Sequence, residues 1–134
     1  MLPLHDDTIR LFLHVLAASV WVGGQLTLAG LVSTVRTLGD DAPRTVARRF
    51  NLIAWPAFGL LAITGIWNLV AIDVGDTEVE YQVTLFVKLV FVALSGIAAF
   101  LHIHARTKVG LAVWGAIGAV SSLAALFFGV WLAG

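Results

Sequence analysis

LFLHVLAASVWVGGQ, residues Leu11 to Gln25, decides the fold. It is apolar almost throughout, yet an ionisable ring, His14, sits inside it. Read outward, the run extends from about Thr8 to Val35, and no Asp, Glu, Lys or Arg interrupts it between Leu11 and Val35. A bilayer core needs roughly 20 such residues in a helix, so this stretch predicts a transmembrane span. The same reading finds three more, at about Leu52 to Ile72, Tyr81 to Ala105 and Val109 to Leu132.

The composition agrees. Of 134 residues, 60% are hydrophobic and 12% charged, with a mean hydropathy of +0.97. A soluble domain carries about 25% charged residues. Short linkers make neighbouring spans antiparallel. The expected fold is therefore an all-α, integral membrane four-helix bundle, up-down-up-down, forming one transmembrane domain over residues 1–134. The acidic start (Asp6, Asp7) and the length of the first span do not suit a cleaved signal peptide, so that span is expected to stay.

Charge sets the orientation. Arg36, Arg44, Arg48 and Arg49 fall in the first loop, and Arg106 and Lys108 in the third. The second loop holds Asp73, Asp76, Glu78 and Glu80 and no basic residue. Positive loops face the cytoplasm, which puts both termini outside. Arg10 alone opposes this and is expected to snorkel to the outer interface. DDAPRTVARRF is expected to form an interfacial turn beginning near Pro43, ahead of a second span that opens at Pro56.

Composition also excludes chemistry. A formal net charge of zero leaves no nucleic-acid footprint. The absence of cysteine removes disulfides, thiolate zinc sites and iron–sulfur clusters. The initiator is the only methionine, so the thioether ligands favoured by copper(I) are missing. There is no phosphate-binding loop, no H-E-x-x-H and no carboxylate within a span.

What remains is a small set of polar residues inside apolar helices. If each span is centred in the bilayer, His14 lies roughly 10 Å outside the midplane, Asn68 about 9 Å and Lys88 about 8 Å. Three spans thus place a polar group in one layer of the outer leaflet. Gln25, Ser95 and Ser121 or Ser122 make a looser layer further in. Helical phase puts His14, Ala18, Trp21, Gln25 and Val32 on one face, and Lys88, Ser95, Ala99, His102 and Arg106 on another, with His104 nearly opposite. Intramembrane lysine costs about 2.5–3.5 kcal/mol on insertion scales, which favours a functional role over snorkelling. The glycines of the later spans suit close helix packing.

A neutral imidazole between helices suits haem iron, with Lys88 pairing a propionate or ligating iron, and Trp21 lining the ring. Copper is the competing cofactor, with His14 as one ligand. His102 and His104, at i and i+2, form a further metal site only if the helix end frays. His14 and His102 are separated by about 23 Å along the membrane normal, too far for one iron. A third reading needs no cofactor: the polar layer meets a partner helix, and the chain is an accessory subunit of a larger membrane complex. Contacts are expected with the lipid bilayer and laterally, with further copies or a larger assembly.

HVLAASVWVGGQ, WPAFGLLAITGIWN and LFVKLVFVALSG, taken in order, resemble the CopD-like superfamily over roughly Leu11 to His104. That superfamily includes copper-resistance membrane domains and HemJ-type protoporphyrinogen oxidases. His14 followed by Trp21, Gly23 and Gly24, then Pro56, Gly65, Trp67 and Lys88, resemble the HemJ type. That likeness implies a b-type haem and an oxidoreductase of haem synthesis. The first span ends LVSTVR, without that type's Pro-Arg-aromatic motif. WVGGQL, RRFNLIA, Thr64-Gly65 and LFVKL resemble the copper branch, which implies copper tolerance or uptake. Either branch implies a bacterial-type plasma (inner) membrane.

Overall fold

The computed structural model describes residues 1–134. It is all-α, with four helices long and apolar enough to cross a membrane and no strand. The chain is a multi-pass membrane protein. The first span is one rod of three pieces: α1 (Asp6–Ala18), a π-helical turn at Ser19–Gly23, and α2 (Gly24–Arg36). The others are α3 (Ala42–Ile72), α4 (Val79–His104) and α5 (Lys108–Ala133). Large apolar side chains such as Phe12, Ile63, Phe86 and Val130 are exposed on these helices. In a membrane protein that surface belongs against acyl chains.

The helices sort into two compact units, Met1–Asp73 and Val74–Gly134. Within the first, Gly24 packs on Phe50 and His14 meets Thr64, so the first span and α3 run antiparallel. Within the second, Lys88 lies beside Gly129 and His102 beside Gly115, so α4 and α5 do the same.

Helix α3 begins ten residues before the apolar run does. Pro43 occupies its first turn, where a missing N–H costs nothing. The arginines that follow are good helix formers, so DDAPRTVARRF, expected as a turn beginning near Pro43, is mostly the polar start of the same long helix. Pro56, expected to open a helix, lies well inside one. Its ring removes the donor that would serve the Leu52 carbonyl, a defect that membrane helices tolerate. Hydropathy marks where lipid begins; helix ends are set by breakers, and none stands between Arg44 and Trp55.

The wide turn at Ser19–Gly23 was not expected either. Ser19 donates its hydroxyl to the Val15 carbonyl (2.8 Å), and Gly23 and Gly24 close the segment without side chains of their own. Such single π turns interrupt α-helices most often near functional sites. This one carries Trp21, which is 2% exposed and packs on Trp55 (5.3 Å between centroids) and Phe58 (4.5 Å).

Gly24 is the tightest approach in the first unit, since a Cβ there would overlap the Phe50 ring. Gly24→Ala is expected to destabilise the protein by about 1–3 kcal/mol through overpacking. Adding Phe50→Ala should recover much of that loss, giving a double-mutant cycle in denaturation with a coupling of at least about 0.5 kcal/mol.

Candidate functional site

Four residues of the first unit build the site. His14 Nδ1 lies 2.8 Å from Thr64 Oγ1. The threonine has a single hydroxyl proton, and it is directed at the Leu60 carbonyl (2.7 Å), with Leu61 at 3.2 Å as a second acceptor. With the hydroxyl proton on Leu60, Oγ1 accepts from the imidazole. In that arrangement Nδ1 carries the proton, and in the neutral ring Nε2 holds the lone pair. Thr64 is 1% exposed, so this bond is shielded from competing water. Gly65 keeps the wall of α3 open, since a Cβ there would stand 3.9 Å from His14 Cε1.

One helical turn away on each helix stand Arg10 and Asn68. Because the pair is antiparallel and aligned at His14 and Thr64, both lie on the same side, about 6 Å along the axis at 1.5 Å per residue. Arg10 reaches toward the start of its own helix. It is 8% exposed, and its Nη2 is held by Asp7 Oδ1 at 3.0 Å. An exposed acidic partner three residues earlier on the same face neutralises the guanidinium. The Asp7 bond leaves Arg10 Nε buried without a hydrogen-bond partner, and Asn68 Oδ1 is in the same condition. Two orphaned polar atoms at one level are costly, about 1–3 kcal/mol each.

The other expected site residues have their own surroundings within each unit. Trp21 is engaged in the aromatic cluster of the π turn, two turns further in than His14. Lys88 belongs to the second unit, where its Nζ would stand 3.3 Å from a Cβ on Gly129. His102 and His104 diverge: His102 Nδ1 is 2.8 Å from the Leu111 carbonyl on α5, and His104 Nδ1 is 2.8 Å from the Phe100 carbonyl of its own helix. His102 also fits over Gly115, whose Cβ would come within 3.2 Å of the ring. Three in-span polar side chains thus each lie over a glycine of the neighbouring helix in the same unit.

Ser95 donates to the Val92 carbonyl, and Ser121 to those of Ile117 and Gly118. Gln25 bonds the Trp21 carbonyl at 2.9 Å, across the end of the π turn.

Metal chemistry can be judged on donors. No group of three or more His, Cys, Asp or Glu side chains converges. A copper ion held by protein side chains needs several such donors. A haem needs only one or two, because the macrocycle supplies four nitrogens. An imidazole with Nε2 as its lone-pair atom and Nδ1–H anchored to a hydroxyl is the form in which histidine binds a metal.

Thr64 and Arg10 were missed as site residues. Thr64 lies one turn from Asn68, a signal present in the sequence, but a threonine in a span ordinarily bonds its own helix. Comparison with protein-family models, curated proteins and solved structures gives no match.

Proposed function

We propose that this chain is a CopD-like protein of a bacterial-type plasma membrane that holds haem b through His14 Nε2, on the first span, in the service of membrane-linked redox chemistry. The observation that carries the reading is the Thr64 anchor, which fixes both the tautomer and the direction of the ring. Haem, when bound, supplies one-electron exchange. The chain's own contribution is to orient the imidazole, to keep Nδ1 protonated and to exclude water from that bond. The donor count favours haem over copper for a resident cofactor.

The visible spectrum of the purified protein tests the reading, and a Soret band is expected. Bound copper without that band would favour copper handling. A colourless protein that co-purifies with stoichiometric companions in mild detergent would favour the accessory-subunit role.

Both termini are placed outside by the arginine bias of the first and third loops. The chain lacks cysteine, so single introduced thiols report orientation directly. In intact cells Asp76→Cys should react with a membrane-impermeant maleimide, and Asp40→Cys only after permeabilisation. The reverse pattern would invert the topology.

A further inference from the structure

The first unit contains a cation whose burial the His14–Thr64 pair does not explain. Arg10 is 8% exposed, and a buried cation needs partners for its N–H groups. Its one ion pair engages a single terminal nitrogen, and the partner, Asp7, is 73% exposed. Nε is buried and has no hydrogen-bond partner. At the same level on α3 the Asn68 amide oxygen is equally unserved. Turned about its last torsion, that amide presents two N–H donors instead of an oxygen. The remaining guanidinium edge and an adjustable amide then suit an acceptor with negative charge, and a carboxylate meets an arginine edge with two parallel bonds.

We propose that Arg10, assisted by Asn68, binds the carboxylate of the porphyrin whose iron His14 holds. The inference rests on the haem reading above and adds to it the group that anchors the macrocycle's acidic edge. Asp7 helps retain the guanidinium while the site is empty of ligand, and the carboxylate takes the edge that Asp7 leaves. The site thereby selects a free-acid porphyrin over a neutral one.

Titration of the full-length apoprotein in detergent with haem b and with its dimethyl ester tests this. Wild type is expected to bind haem b at least about tenfold tighter than the ester, the size expected for one buried charge pair. Arg10→Met should bind both alike, at the ester's affinity, with the Soret position unchanged because His14 still ligates. Arg10→Lys should recover part of the preference. The ester comparison in wild type needs no variant, so misfolding of Arg10→Met leaves the test intact. Equal affinity of wild type for acid and ester, or an undiminished preference in Arg10→Met, would overturn the proposal while leaving His14 ligation standing. A wild type that binds no haem at all would sink both.

Discussion

His14→Ala should abolish the Soret band, and Thr64→Val should weaken haem affinity by about 10–100-fold without abolishing it, the usual cost of losing a group that orients a metal-bound histidine. The two substitutions act on different links of one chain of cause. Alanine removes the ligand. Valine keeps the shape of threonine but deletes the hydroxyl that accepts from Nδ1, leaving a buried N–H unserved and the ring free to change tautomer. Thr64→Ser, which keeps the acceptor, should stay within a fewfold of wild type. This ordering separates a ligand histidine from one that merely packs. A packing role predicts that valine, which matches threonine's volume, leaves any cofactor signal intact, and a spectrum unaffected by either change would remove His14 from the site.

Lys88→Met should make the third span, α4, enter the membrane more readily, by about 2–3 kcal/mol on insertion scales, somewhat below the mid-bilayer value because the residue lies off the helix centre. The one carboxylate of its own helix, Glu80, lies in the first turn of α4, and Lys88 makes no ion pair. Its Nζ and Cε instead lie over the notch at Gly129. Methionine has similar length and no charge, so the same notch accepts it. The gain is read from the fraction of chains inserted when α4 is tested in a translocation assay. Insertion unchanged or poorer than wild type would mean that the ammonium reaches headgroups or water along its stem, and that its position costs nothing. A gain of the expected size would show that the protein retains a lysine against its own stability, as functional residues are retained.

Particular residues show how far the sequence was legible. The apolar runs around Leu11–Gln25 and in the three later spans were read correctly as membrane helices. Lipid imposes one requirement that short stretches reveal, namely that backbone polar groups be satisfied within the segment. The start of α3 was misplaced because charge hides helix from a hydropathy reading, although Arg44, Arg48 and Arg49 are compatible with helix. For Arg10 the sequence suggested reach to the interface, and only the coordinates show that Asp7 is the group it meets.

The glycines carry the same lesson. Gly65, Gly115 and Gly129 read as generic packing residues, whereas each lies opposite a polar side chain: His14, His102 and Lys88. Nothing in a glycine announces its neighbour across a helix pair, since the register between two antiparallel helices is a property of both surfaces at once.

The sequence by itself determined that this is an all-α membrane protein with four spans, because apolar length is a local property summed along one helix. It also determined that His14, Asn68 and Lys88 are anomalous, since their desolvation cost depends on residue type and depth alone. Which nitrogen of His14 bears the proton, which atoms of Arg10 and Asn68 are left unserved, and where the first span widens at Ser19–Gly23 were decided only by tertiary structure. Each depends on directional bonds between residues as far apart as His14 and Thr64, and on geometry that no periodicity encodes.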